Sequence, residues 1–149
     1  MNKPLAVTLL TTAALAMATP AAAAPPFDQV TGAGTVAYFD GTAHLTVSAR
    51  VPIDGEPTDA SGTVVLKVPG EPAAHGSVSC LTVNPGQERA GVVATLSNGT
   101  SLRIRINEAS PGEKDRVEIE VTEDPETECG GNNRAGSRIL NGNFRIVDN

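Results

Sequence analysis

Two cysteines, two histidines and one dense run of carboxylates are the residues of this 149-residue chain that could do chemistry. Cys80 lies within "GSVSCLTV" (76–83) and Cys129 within "ETECGGNNRAG" (126–136). A cysteine nucleophile needs a base within hydrogen-bond reach, and His44 and His75 are the only imidazoles. "GSVSC" also departs from the G-x-S-x-G nucleophile elbow: position 80 is Cys rather than Gly, and its setting is strand to strand rather than strand to helix. The two histidines show no zinc-ligand spacing. No catalytic residue, metal ligand or cofactor site is therefore assigned from these residues.

The carboxylates are Glu108, Glu113, Asp115, Glu118, Glu120, Glu123, Asp124, Glu126 and Glu128, set against Lys114 and Arg116 in a chain whose formal net charge is −6. Clustered oxygens suit Ca²⁺, which takes six to eight of them, yet no segment follows the D-x-[DN]-x-[DN]-G loop. Half of the cluster has a plainer use. If 101–106 and 116–121 are paired strands, Glu118 and Glu120 face Arg103 and Arg105, each cross-strand pair contributing roughly 0.2–1 kcal/mol. The preferred reading is a solvated strand face followed by an acidic loop, with a calcium site or a docking surface for a basic partner as the alternatives.

The N-terminus sets the compartment in which these groups would act. Met1-Asn2-Lys3-Pro4 precedes the uncharged run "LAVTLLTTAALAMA" (5–18), and "TPAAAAPP" follows with small residues of the Ala-x-Ala type. This is a signal-peptide pattern, too short to span a bilayer. Cleavage after Ala23 avoids a proline directly beyond the cut, so 1–23 is read as a cleaved signal peptide and 24–149 as one secreted domain. In an oxidising compartment two cysteines are most simply a disulfide. Cys80 with Cys129 would close a loop of about fifty residues, worth on the order of 4 kcal/mol in the chain-entropy model.

The elements that must position these groups are strands. Alternation is cleanest in "TAHLTVSARV" (42–51), where Ala43, Leu45, Val47, Ala49 and Val51 share one face, and His44 points to solvent. "SLRIRI" (101–106) and "RVEIEV" (116–121) alternate as sharply, with Val117, Ile119 and Val121 inward. Runs at 29–39, 62–69, 76–84, 89–97 and 138–147 bring the total to about eight, so the fold class is all-β, an antiparallel sandwich or small barrel. Asp40-Gly41 and Asn98-Gly99 read as two-residue type I′ hairpin turns. That explains "NGT" (98–100) without invoking its glycosylation sequon. Val78 and Cys80 share a parity, which directs the Cys80 sulfur to the core, and His75 falls in a loop beside a glycine. Gly142 marks a bulge or a close backbone approach.

Taken together, "GSVSCLTV", "SPGEKDRVEIEV", the late cysteine and the closing "ILNGNFRIV" resemble a group of small exported β-rich bacterial domains of unknown function. Those share a G-x-V-x-C-L-x-V strand, a Pro-Gly-Glu-x-x-Asp turn and a final G-N-[FIV]-x-V strand. The resemblance covers about residues 29–147. It implies a compact extracellular β domain, with Gly112 and Asp115 as turn residues, and brings no catalytic residue.

Composition narrows function by exclusion. An acidic chain without Trp and with few aromatics, Phe27, Tyr38, Phe39 and Phe144 among 24–149, is disfavoured for nucleic acid on both charge and stacking grounds. The expectation is a secreted, non-catalytic domain with a binding or structural role, its partner an envelope polymer or another secreted protein. An inhibitor-like protein presenting 52–61 or 123–137 as a bait loop is the alternative, and a small secreted hydrolase a more distant one.

Overall fold

The structure, a computed structural model, describes residues 26–86, 88–125, 135–137 and 139–149. The fold is all-β: eight antiparallel strands in a single sheet that curls into a half-barrel. They are β1 (Phe27–Tyr38), β2 (Gly41–Pro52), β3 (Ser61–Lys67), β4 (Ala74–Asn84), β5 (Arg89–Leu96), β6 (Ser101–Asn107), β7 (Arg116–Thr122) and β8 (Asn141–Val147). Among the described residues one 3₁₀ turn spans Pro57–Asp59, and no helix there is long and apolar enough to cross a membrane. The order across the sheet is β7-β6-β5-β4-β3-β2-β1-β8. Seven strands thus follow one another as hairpins, and the eighth crosses to pair with the first.

The alternation read from the sequence is the alternation of burial. Leu45, Val47, Val64, Val92, Leu102, Ile104 and Ile106 are almost wholly buried and line the concave side as one core. Phe144 of β8 joins them, its ring lying against Gly32 and Gly34 of β1. Gly142 is a close approach: φ is +116°, and a Cβ would stand 2.2 Å from the Ala33 carbonyl oxygen. Val121 departs from the expected pattern, being half exposed, because β7 is an edge strand whose concave face runs out from under the curl.

Four further readings are corrected. Ser79 is an extra residue in β4, so that Val78 pairs with Ala94 and Cys80 with Val93. A bulge of one residue reverses the faces beyond it. Val78 and Leu81 stay in the core, and Cys80 turns to the convex side with Val93, buried there at 1% exposure. The β1–β2 turn sits one residue earlier than Asp40-Gly41, at Phe39-Asp40, with Phe39 at φ +47°. Asn98-Gly99 belongs to a three-residue loop. Gly99 N–H donates to Leu96 O, Leu96 N–H donates to Thr100 O, and Gly99 lies at φ +85°, the type I turn with a glycine bulge that such loops favour. His75 lies on β4, exposed, rather than in a loop.

Nothing in a hairpin series ties the two ends of the sheet together, and the segment around β8 does so without strand pairing. Ser137 and Ile139 meet the start of β7 and the residue before it, through Val117 N–H to Ser137 O (2.8 Å) and Ile139 N–H to Asp115 O (2.9 Å), and Leu140 N–H donates to Thr35 O (2.9 Å). Along its far side β8 is met by carboxylates. Asp115 accepts from Phe144 N–H (2.7 Å) and Ala109 N–H (2.9 Å), and Glu108 accepts from Ile146 N–H (2.7 Å). Lys114 donates to Leu140 O (2.8 Å). The two carboxylates supply the acceptors that a neighbouring strand would have given to the Phe144 and Ile146 N–H groups.

Candidate functional site: a cleft at the hairpin end

At one end of the half-barrel the β1–β2, β3–β4 and β5–β6 turns stand around a cleft of about 440 Å³. Its floor is the last inward residue of two strands, Leu66 of β3 and Leu96 of β5, flanked by Val68 and Ala74. Its rim carries Asp40, Glu71, Asn98 and Thr100. An apolar floor with a few polar groups at the mouth is the usual build of a small-molecule site.

Two of the four aromatics expected outside the signal segment meet here. Tyr38 and Phe39 pack edge to face, ring centroids 4.6 Å apart, and Phe39 is 79% exposed. A bulky residue at positive φ is a strained choice for a turn that Asn or Gly would make without cost. Strain held at an exposed aromatic points toward use rather than folding. The Tyr38 hydroxyl is pushed above its ordinary pKa of 10.0, first by partial burial and second by the negative charge of Glu71. The cleft thus combines an apolar floor with two carboxylates, Asp40 and Glu71, at its mouth.

The residues singled out in the sequence lie elsewhere. His44 and His75 both face outward, on β2 and β4, but pair across to Lys67 and Val65 respectively, so β3 separates them and they do not share a register position. Cys80 is buried on the convex side, and Cys129 lies outside the described residues, as do residues 1–23 and Glu126 and Glu128. Asp115, Glu108, Glu118 and Glu120 each hold a structural partner. Asp115 and Glu108 bind β8 as above, Glu118 accepts from Gly136 N–H (2.8 Å), and Arg105 bridges Glu118 (3.1 Å) and Glu120 (2.6 Å). Glu118 and Glu120 face Arg103 and Arg105 as expected, and the register sets Arg103 opposite Glu120 and Arg105 opposite Glu118. Glu113, Glu123 and Asp124 are exposed, and among the described residues no cluster of His, Cys, Asp or Glu is arranged to hold a metal.

Sequence reasoning missed the cleft. The available signal was Tyr38-Phe39 directly before Asp40-Gly41, an aromatic pair at a hairpin tip where a turn has no core to bury it. Compared with protein-family models, curated proteins and solved structures, the chain matches none.

Proposed function

We propose that this is an exported, non-catalytic binding domain that takes a small amphipathic ligand into the cleft between its hairpin tips. The observation that carries the reading is Phe39, an exposed aromatic held at positive φ over an apolar floor. Export and membership in the group of small exported β domains rest on the N-terminal segment and the motifs at 76–83, 110–121 and 139–147. A Cys80–Cys129 disulfide belongs to the same reading. Its support is the side on which Cys80 lies: residues 135–136, just beyond Cys129 in the chain, also return to the convex face, at Asn107 and Glu118.

Thermal shift against a panel of small amphipathic amines, acids and alcohols tests the cleft. A compound at a hundred times its dissociation constant adds about 2.7 kcal/mol to stability, several degrees in a domain of this size. Phe39→Gly should abolish such a shift while raising the unliganded melting temperature. A panel that leaves the wild type unmoved sinks the reading. Thiol counting of the secreted protein under denaturing conditions tests the disulfide, which predicts no reactive cysteine.

The inhibitor-like reading has one observation in its favour. The 52–61 loop is pinned by Gly55 N–H to Pro52 O (2.9 Å), Asp59 N–H to Glu56 O (2.8 Å) and Glu56 N–H to the Asp59 carboxylate (2.8 Å), and it presents Ile53 to solvent. Cleavage of this loop by a panel of proteases at the rate of an unstructured peptide would remove it.

A further inference from the structure

The strand register places seven hydroxyl side chains in one continuous row across the convex face. Thr31 of β1 pairs with Ser48 of β2, Ser48 with Thr63 of β3, Thr63 with Ser77 of β4, Ser77 with Thr95 of β5, Thr95 with Ser101 of β6, and Ser101 with Thr122 of β7. No spacing in the sequence reveals this, because the row exists only once seven strands are in register.

Strand propensity does not account for it. Threonine suits a strand surface, but three of the seven are serines, and the neighbouring outward row on β1–β4 is Ala33, Thr46, Val65 and His75. The uniformity belongs to one register position rather than to the face as a whole.

The row divides into a used and an unused part. Thr95 and Ser101 hydrogen-bond each other at 3.0 Å, and Thr122 accepts from Asp124 N–H at 3.2 Å. Thr31, Ser48, Thr63 and Ser77 are exposed, and their hydroxyls make no hydrogen bond among the described residues. These four occupy adjacent strands, a span of roughly 14 Å at the usual inter-strand spacing. A groove of about 510 Å³ runs over the first three of them, lined also by Gln29, Arg50 and Ser61.

The charge around the open part is the reverse of the protein's overall sign. Arg145 of β8 continues the row opposite Thr31. Arg50 flanks the groove, its guanidinium lying 5.2 Å from the Phe27 ring centroid and its Nε donating to the Ser61 hydroxyl at 3.4 Å. Neither arginine has a carboxylate partner among the described residues.

We infer that the Arg145–Thr31–Ser48–Thr63–Ser77 row is a binding track for an acidic polysaccharide. A hydroxyl both donates and accepts, so a ladder of them can meet the ring hydroxyls of successive sugars, which in an extended glycan advance by about one strand spacing each. Arg50 and Arg145 supply the countercharge for carboxylates on the same chain. The curl of the sheet favours a flexible polymer over a flat crystalline surface. This site is distinct from the cleft and stands or falls apart from it.

Affinity electrophoresis of the protein through gels containing polygalacturonate, or dextran as the uncharged counterpart, tests the track at low and high salt. Polygalacturonate should retard the wild type more strongly than dextran. Thr31→Val combined with Thr63→Val should weaken the retardation at least tenfold with the melting temperature unchanged, since both replacements suit a strand surface. Arg50→Gln with Arg145→Gln should flatten the salt dependence. Thr46→Val, one row away, should change neither. No retardation of the wild type by polygalacturonate, equal retardation by dextran, or a loss in Thr46→Val matching that of the double valine variant would each overturn the inference.

Discussion

The hairpin series β1–β7 and the seam at β8 solve the same problem with different materials. Between consecutive strands backbone groups meet backbone groups, as in the twelve-residue register of Phe27↔Pro52 through Tyr38↔Gly41. Along the far side of β8 the acceptors are two carboxylates, Asp115 on Phe144 and Glu108 on Ile146. A ladder spreads its stability over many equivalent bonds. The seam concentrates it in a few side chains, and one substitution can remove a whole contact there.

That difference can be pushed hardest at Leu45 and Asp115. Leu45→Ala, in the most regular strand, should cost about 2–5 kcal/mol through the lost burial and the cavity left behind. Asp115→Asn removes no volume, yet it replaces one of two acceptor oxygens by an NH₂ facing an N–H, at a site only 4% exposed. A cost of about 2–4 kcal/mol is expected from the unsatisfied group and the lost charge-assisted bond. Urea midpoints of the two variants decide the matter. Asp115→Asn falling within 0.5 kcal/mol of wild type, by the scale of ordinary surface changes, would mean the seam is incidental. Gly142→Ala should follow at about 2–3 kcal/mol, since both the φ of +116° and the Ala33 carbonyl oppose a side chain.

Glu108→Gln sharpens the comparison at a smaller scale. It keeps one acceptor for Ile146 N–H but gives up the charge, for a loss of about 1 kcal/mol. Arg105→Gln, in the body of the sheet, should lose a similar amount, because Arg105 holds both Glu118 and Glu120 but at the partly exposed surface of β6 and β7. If the seam variant lost nothing while Arg105→Gln lost 2 kcal/mol or more, the assignment of stability between the two regions would be reversed.

What could be read from the sequence follows the same division. Strict alternation in 42–51 and 101–106 announces a strand and its buried face because a sheet has period two and one wet side, whereas β5, buried over 90–94 on both faces, was legible only as an apolar run between turns. That Glu118 and Glu120 face Arg103 and Arg105 was legible too, since both runs alternate strictly and put their charges on one face, but the eight-residue connection left open which arginine meets which carboxylate. Ser79 defeated the parity argument for Cys80, because a bulge leaves the residue types on either side unchanged and is visible only in the pairing. The roles of Asp115 and Glu108 were hidden for another reason: their partners lie 29 and 38 residues away, at Phe144 and Ile146. Periodicity carries no information about a contact between a loop carboxylate and a distant backbone N–H. The cleft and the hydroxyl row share that character, being built from several hairpins at once.

The smallest expected effect lies at the end of the body farthest from any carboxylate cap, at Tyr38. Burial and Glu71 both favour its protonated form, so its folded pKa stands above 10.0. The sign of the linkage follows from that direction. The folded state binds the phenolic proton more tightly than the unfolded chain, so the associated stability is fully present below about pH 10 and is lost as pH rises through the folded pKa. Because the burial of Tyr38 is only partial, the loss should be a fraction of the effects above. Tyr38 is the only tyrosine in the chain, and its phenolate absorbance near 295 nm therefore reports this site alone. Glu71→Gln should lower the midpoint part of the way toward 10.0, leaving the share due to burial, while Phe39→Gly should lower it by opening the ring to water. A titration at or below 10.0 in the wild type would show that the cleft mouth is neither dry nor negative, and would take from the proposed site the feature that selects its ligand.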